Sequence, residues 1–319
     1  MVDYRYHLAS LASVFLALGV GILIGNTFVG QTSATWQKGA IERLGREVAE
    51  VQRSSERILK ADQLLRAQMR QRDQAERALA TTITSGILTG HTVALVATGD
   101  MEKSEALGQL TSVLRTAGAE VLSTTYIADD WLPDTQAERD YILRRLQVPD
   151  QDPGESTGAA NKALARALVS GIWSQALKDV ARRANGVALS GDYTRPAEYA
   201  VLLSSAADED RLRLANDGET PDSALLEVWK ELGVRAVGAE PTGAPVSLVP
   251  VYQRGKVPTV DNIDTPAGQA AVVLALASAS YGGDFGTKAS AQRVLPEVPV
   301  KGYARPGEAG RLRASLAVP

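Results

Sequence analysis

The chain has 319 residues, of which 45% are hydrophobic and 22% are charged, and its formal net charge at pH 7 is −3. This balance provides no basic excess for binding nucleic acid. Cysteine is absent and histidine occurs only as His7 and His91. A disulfide framework and a thiolate nucleophile are therefore excluded, and a histidine-based triad or zinc site has almost no residues to draw on.

The first element is an apolar segment near the N-terminus. No Asp, Glu, Lys or Arg lies between Arg5 and Lys38, and residues 8–29 are almost wholly apolar. As a helix this segment would be about 33 Å long, enough to cross the roughly 30 Å hydrocarbon core of a bilayer. We predict an N-terminal stub at 1–7 and a transmembrane helix at 8–30. A cleaved signal peptide is the alternative, but such peptides have a shorter apolar core and a more basic start.

Small residues recur every fourth position along this segment. They are Ala9, Ser13, Ala17, Gly21 and Gly25. A row of small side chains lets a second helix approach closely within a membrane. We therefore predict that this row packs against another helix.

Residues 31–86 are predicted to form a coiled coil, whose heptads begin after a short polar bridge. A seven-residue repeat runs from 41 to 83 without proline, and nine of its thirteen a and d positions are apolar. The apolar seam residues are Ile41, Leu44, Val48, Val51, Ile58, Leu65, Met69, Leu79 and Ile83. Asp62, Arg72 and Glu76 interrupt the seam, and charge at such positions can select a partner or fix the register. A solvated single helix with accidental heptads is the alternative.

Residues 87–292 have the pattern of an α/β domain. A buried strand at 92–98, a helix at about 101–117 and a strand at 120–127 form a βαβ unit, which is typical of a parallel sheet covered by helices. Further helices are predicted at 159–184, 223–232 and 267–280, and further strands at 186–190, 199–204 and 234–238. The predicted fold is a Rossmann-like α/β domain with a mostly parallel sheet, followed by a flexible tail at 293–319.

No catalytic constellation is recognisable in the sequence. The turn at 97–100 has one glycine, against the three of a dinucleotide-binding fingerprint, so turn and cap duties explain it better than a ligand does. Ser190 follows a strand, but no histidine is close in sequence to activate it. We therefore predict a non-enzymatic protein with no cofactor and no metal site.

Two unusual loops, at 260–268 and 281–287, flank the predicted helix at 267–280. Their candidate ligand or partner residues are Asp261, Asn262, Asp264, Thr265, Tyr281 and Asp284. Asp261 and Asp264 suit a pair of carboxylates or hard-cation ligands. An Asx-turn and a helix cap explain the same residues without chemistry, since Thr265 can cap the helix and Pro266 suits its first position. As a surface for a partner or small ligand, the two loops are the best candidate.

Three of these features together resemble one family. The run from Tyr-His-Leu-Ala-Ser at 6–10 to Gly-Val-Gly-Ile at 19–22, the heptad helix, and the segment Val-Asp-Asn-Ile-Asp-Thr-Pro-Ala-Gly-Gln at 260–269 are similar to the MctB family of actinobacteria. The resemblance covers residues 4–296, and residues 284–286 depart from the pattern. It implies a single-pass protein of the cytoplasmic membrane with its C-terminal domain outside.

The resemblance implies two different functions. The family is labelled as copper transport proteins, whereas its SteB branch implies a complex with a SteA-like membrane protein that controls a peptidoglycan hydrolase during daughter-cell separation. Cu(I) is bound by clustered Cys, Met and His, but Met1, Met69 and Met101 are scattered here. We therefore expect a SteB-like scaffold that forms a homodimer or hetero-oligomer through its span and coiled coil, with copper transport as the alternative. The basic residues after the span favour a cytoplasmic domain by simple count, but a long domain can cross the membrane regardless of flanking charge. We therefore follow the resemblance and predict that the domain at 87–292 is extracytoplasmic.

Overall fold

The computed structural model describes residues 4–99, 101, 105–148, 156–278 and 282–297, although the side chains of residues 4, 26–41 and 156 lie outside that description. The chain divides into two compact units, residues 1–71 and residues 72–319. Each unit is described by itself below. Of the predicted tail, only residues 293–297 are described.

The first unit is helical throughout its described residues, which belong to helix α1, Tyr4–Thr84. The backbone of the predicted polar bridge, residues 31–40, is helical and continues α1. No proline lies there to remove a backbone donor. Within α1, Arg5–Gly25 is long and apolar enough to cross a membrane, with a mean hydropathy of 2.3. The predicted span overlaps this segment, and its residues 26–30 fall where side chains are not described.

The second unit contains a seven-stranded sheet in the order β3-β2-β1-β4-β5-β6-β7. The strands are β1 Thr92–Thr98, β2 Glu120–Ile127, β3 Val187–Gly191, β4 Tyr199–Leu203, β5 Arg235–Ala239, β6 Thr259–Val260 and β7 Asp284–Phe285. Every neighbouring pair is parallel except β2 and β3, which are antiparallel. The prediction of a mixed α/β fold with a mostly parallel sheet is confirmed. Strands β1 and β4 are apolar on both faces because helices cover both sides of the sheet.

Eight further helices lie among the described residues of this unit. They are α2 Glu105–Thr116, α3 Gln136–Arg145, α4 Ser156–Ser170, α5 Ser174–Ala181, α6 Glu209–Asp217, α7 Pro221–Glu231, α8 Val249–Arg254 and α9 Pro266–Ala277. The single helix predicted at 159–184 is wrong, because Gly171 separates α4 from α5. Gly171 has a φ of +76°, and a Cβ there would lie 2.5 Å from the carbonyl carbon of Arg195, so the chain must turn where only glycine fits.

Hydrophobic cores fill both faces of the sheet. On one face Leu164 of α4 and Trp229 of α7 pack in the same cluster as Leu202 of β4. On the other face α2 and α9 pack against the remaining side chains of β1 and β4. Helix α9 is buried on all sides, and its predicted start is confirmed: Pro266 is its first residue and Thr265 Oγ1 accepts from Gly268 N at 3.0 Å. The carboxyl ends of the parallel strands lie together at one edge of this packed sheet.

Candidate functional site at the carboxyl edge of the sheet

The carboxyl edge of the sheet is where a parallel α/β fold places ligands, above all where neighbouring strands run their connections in opposite directions. Here that point lies between β1 and β4, since β1 continues toward β2 on one side and β4 toward β5 on the other. Thr98 ends β1 and Ser204 follows β4, and both side chains are buried. This edge is therefore the first place to look for chemistry.

An arginine occupies the edge between these strands. Arg211 of α6 is only 7% exposed, and its Nε and Nη2 donate to the two carboxylate oxygens of Asp129 at 2.8 and 2.9 Å. Nη2 also donates to Asp222 Oδ2 at 3.1 Å, and Asp222 is fully buried. The Thr98 hydroxyl lies 2.6 Å from Ser204 Oγ and 2.7 Å from Asp222 Oδ1. These side chains form one buried polar network.

The turn after β1 is closed by the same guanidinium. Gly99 has a φ of +60°, and a Cβ added to it would lie 2.7 Å from Arg211 Nε. Burial opposes the charge on Arg211, but Asp222 and Asp129 more than offset it and raise the pKa of Arg211 above its ordinary value. Arg211 Nη1 makes no hydrogen bond within the described part of the chain. The position over the first turn, where a bound phosphate would lie in a nucleotide-binding domain, is filled by the protein itself.

A second buried network lies farther along the edge. Glu240, which follows β5, is fully buried and accepts from Ser247 Oγ at 2.7 Å, Leu248 N at 2.8 Å and Lys288 Nζ at 2.5 Å. Asp261, which follows β6, accepts from the backbone N–H groups of Thr287 and Lys288 at 2.7 and 3.0 Å. A Cβ at Gly286 would collide with Asp261. This network fastens the segment after β7 to the sheet.

The two predicted loops do come together, but not as a surface of free carboxylates. Asp261 and Asn262 are 2% and 1% exposed, so neither side chain is available to a partner, and that part of the expectation is wrong. Asp264 is exposed and accepts from Thr242 N and Oγ1 at 2.7 and 2.8 Å. Thr265, rather than Asp264, caps α9.

The remaining loop residues have mixed positions. Asp284 begins β7 and accepts from Thr259 Oγ1 at 2.8 Å, so it serves the pairing of two short strands. Tyr281 lies outside the described residues. The two loops therefore hold β6, β7 and α9 together through hydrogen bonds.

The predicted coiled-coil seam lies on an exposed face of α1. Its described apolar side chains from Leu44 to Leu79 are 54–66% exposed, and Ile83 is half-buried; the side chain of Ile41 is not described. Two of the three seam charges, Arg72 and Glu76, form an ion pair at 2.7 Å. The third, Asp62, pairs with Arg66 at 2.7 Å. The charges in the seam are thus balanced within their own helix.

The predicted small-residue row is likewise available. Its five residues are exposed, and a Cβ added at Gly21 or Gly25 would meet nothing within 4 Å. Ser13 Oγ donates to Ala9 O at 2.8 Å, so the only hydroxyl of the row is satisfied within the helix. Along the described residues 9–25, this row leaves room for a second helix.

The described histidine and methionine side chains, which copper could use, lie in different surroundings. His7 is exposed on α1. His91 Nδ1 lies 2.6 Å from Glu198 Oε2, and the His91 ring stacks on Tyr199. Met101 is buried in a hydrophobic core, whereas Met69 is exposed on α1. Within the described ranges, no group of three or more His, Cys, Asp or Glu side chains is placed to hold a metal ion.

The chemistry of the carboxyl edge is that of a structural network. Its cations are held by carboxylates, and its carboxylates accept from backbone or side-chain donors. Sequence reasoning missed Arg211, Asp222, Glu240 and Lys288. A charged residue directly after a buried strand, as Glu240 is after β5, was the available signal; Arg211, Asp222 and Lys288 are separated from the strands they serve, and no spacing marks them.

Comparison with known proteins decides the family. Residues 1–296 match the sequence profile described as "Copper transport outer membrane protein, MctB". The chain belongs to the MctB family. Its curated relatives include the copper transporter MctB of Mycobacterium tuberculosis and that of Mycobacterium bovis. Each is 22% identical over 314 residues, which cover 90% of this chain and 95% of the relative.

Proposed function

We propose that this chain is a membrane-anchored component of copper homeostasis that acts as a non-enzymatic scaffold and does not itself carry the ion. Membership of the MctB family supports the link to copper. The comparisons do not name cell division. The SteB-like role with a SteA-like protein and a peptidoglycan hydrolase is therefore not part of this proposal.

The single observation that carries the scaffold interpretation is the composition of the carboxyl edge. A carrier or enzyme of this fold needs an open site at that edge, with polar groups that are free to bind a ligand. Arg211 fills the edge between β1 and β4, and Asp129 and Asp222 hold it there through 2.8–3.1 Å hydrogen bonds. Cu(I) also prefers thiolate, thioether and imidazole ligands, and the two described histidines and the described methionines are not clustered. The copper effect would then pass through a partner.

Assembly through α1 is the second part of the proposal. In the second unit the last turns of α1 bury Thr84, while Leu79 is 66% exposed. These two residues are about 140° apart around a helix of 3.6 residues per turn. In these last turns the α/β domain covers the side of Thr84 and leaves that of Leu79 free, with Ile83 of the seam half-buried between them. The exposed part of the seam supports a coiled coil as the mode of assembly.

The fold and topology complete the proposal. The strand order β3-β2-β1-β4-β5 and the parallel pairs on both sides of β1 support a Rossmann-like classification of the domain. The anchor is the apolar segment Arg5–Gly25 of α1, and the family description supports placing the domain outside the cytoplasmic membrane. If the domain lies outside the cytoplasmic membrane, we expect added protease to digest it in intact spheroplasts. A domain that is protected until the spheroplasts are lysed would contradict this topology.

The function is tested in a deletion strain. We expect loss of the gene to change both copper sensitivity and cell copper content, and the full-length chain to restore both. Removal of residues 4–25 should abolish the restoration, whereas His91→Ala and Met69→Leu should restore fully because neither side chain carries copper in this account. A deletion strain with wild-type growth and copper content would overturn the link to copper.

A further inference from the structure

An open groove lies on the α4 face of the sheet. Its cavity volume is about 310 Å³, and it is lined by residues of α4 and by the segments that follow α3 and precede α5. Leu146 at its floor is buried in the core, and Val148, Ala163 and Trp173 pack partly buried against that core. The floor is therefore apolar and rigidly supported.

The wall formed by α4 combines small and basic residues. Ala159, Lys162, Ala163 and Arg166 are spaced three to four residues apart and share one face of the helix. The alanines leave room above the floor, and the two cations stand at the rim. Lys162 pairs with Glu227 at 3.1 Å while remaining half exposed. Arg166 is exposed and has no ion pair with any described residue.

The tryptophan of the groove differs from the other tryptophans of the domain. Trp131 Nε1 donates to Asn161 Oδ1 at 2.7 Å, and Trp229 Nε1 donates to Ala165 O at 2.9 Å. Trp173 is half-buried, yet its indole N–H donates to no described residue. Buried tryptophans normally satisfy this donor, and tryptophan is enriched at protein interfaces, where a partner can accept from it.

Apolar surface continues beyond the groove. Ile172, next to Trp173 in the turn after Gly171, is 81% exposed, the largest exposed fraction among the described large hydrophobic side chains. The left-handed Gly171 fixes that turn through its close approach to Arg195 and Pro196. Ile172 thus stands on a turn that the fold fixes.

We propose that this groove binds an acidic peptide segment that carries an apolar anchor side chain. The anchor fills the space over Ala159 and Ala163 against Trp173. Carboxylates of the segment pair with Arg166 and Lys162, and a peptide carbonyl accepts from the Trp173 indole. This assigns the scaffold of the proposed function a partner surface, and it rests on that function only in requiring a protein partner.

The test is a binding titration of the purified full-length chain in a neutral detergent. The probe is a dye-labelled acetylated hexapeptide of sequence Asp-Glu-Phe-Leu-Glu-Asp, followed by fluorescence anisotropy. Two matched peptides carry Lys at the acidic positions or Ser at the apolar positions. We expect both changes to weaken binding by about tenfold or more, because charge and anchor contribute separately.

Variants of the groove locate the site. Arg166→Glu should weaken binding of the acidic peptide by about tenfold, and Trp173→Phe by about threefold, since it removes only one donor. Arg115→Glu is the matched control, because Arg115 is an exposed arginine of α2 on the opposite face of the sheet. It should leave binding unchanged.

Several results would overturn the proposal. They are no binding of the acidic peptide, equal binding of the lysine peptide, equal losses in the Arg166 and Arg115 variants, and Arg166-dependent binding to phosphatidylglycerol vesicles in place of peptide. Copper resistance does not enter this readout. A failure of peptide binding is thus distinguishable from a failure of the proposed function.

Discussion

The apolar side chains of α1 and those of the α/β domain are in opposite situations. Leu16 of α1 is 72% exposed and Leu65 is 54% exposed, whereas Leu95 of β1 and Leu202 of β4 are fully buried. The domain contains the partners of its own hydrophobic residues. Most described apolar side chains of α1 have no such partner, and a bilayer or a second helix would bury them. The proposed association through α1 follows from this difference.

Charged residues repeat this contrast. Arg66 and Asp62 of α1 pair at the surface, whereas Arg211 and Asp222 pair in the interior of the domain. Exposed pairs contribute little to stability because water screens them, while breaking a buried pair leaves an uncompensated charge. The two regions should therefore respond very differently to the same kind of mutation.

The largest expected effect follows from removing the buried arginine. Arg211→Ala leaves Asp129 and Asp222 without their cation and should lower the free energy of unfolding by about 3–5 kcal/mol. Arg66→Ala, which breaks an exposed pair of α1, is the control and should change it by less than about 0.5 kcal/mol. Urea denaturation followed by circular dichroism measures both. Equal losses of stability in the two variants would contradict the contrast between buried and exposed ion pairs.

The second prediction concerns α1. Replacing Asp62, Arg72 and Glu76 together with Leu should stabilise the association of a 36–86 peptide by about 1–4 kcal/mol, because charges in a seam lose hydration when helices associate. Analytical ultracentrifugation and thermal melts at several concentrations measure this. Unchanged association would show that the heptad register is wrong. A wild-type peptide that stays monomeric but folds with a partner peptide would make the charges selectors of a heteromeric coil.

The third prediction concerns the fastening of β7. Asp261→Ala removes the acceptor of the Thr287 and Lys288 N–H groups and should cost about 1–3 kcal/mol of stability. Asp264→Ala removes an exposed acceptor of the Thr242 N–H and should cost less than about 1 kcal/mol. Thermal denaturation of the two variants decides this. A more damaging Asp264 variant would show that the loop is stabilised from its surface.

The smallest expected effect is a loss of folding stability at low pH. Hydrogen bonds from the Thr194 hydroxyl and N–H, and then from Arg195, lower the pKa of Asp192 from 3.8 to about 2. Because the folded-state pKa is below the unfolded one, this contribution is present above about pH 4 and disappears as the pH falls toward 2. Asp192→Asn should remove this part of the acid sensitivity in urea midpoints measured across that range. An unchanged acid profile would contradict the role of this loop.

Particular residues show what the sequence allows one to predict. Apolar runs predicted β1, β2 and β4, and Thr265 with Pro266 predicted the start of α9, because these signals are local. The break at Gly171 was not predictable, since its cause is the approach of Arg195 and Pro196 from 24 residues later. Helix α3 is short and polar, so its pattern is weak. Helix α6 has local signals that sequence reasoning missed, since Asp208 caps its start and the left-handed Gly218 ends it.

The candidate site was predictable only in part. The segment 260–268 was recognised as unusual, and the structure shows why: Gly268 lies where a Cβ would collide with Asn262 O. Its interpretation as a surface of free carboxylates was wrong, because the donors of Asp261 come from residues 287 and 288. Contacts between residues this far apart in the sequence are set by the tertiary fold, and no local spacing of residues reveals them.

The most direct test of the scaffold account is a Cu(I) titration of the purified full-length chain against a chromophoric Cu(I) chelator under anaerobic conditions. The account predicts no stoichiometric removal of Cu(I) from the chelator, because the described histidine and methionine side chains lie in separate environments and Cu(I) needs clustered soft ligands. Binding of one Cu(I) per chain, lost in His91→Ala or Met101→Leu, would contradict it and make the protein a copper carrier.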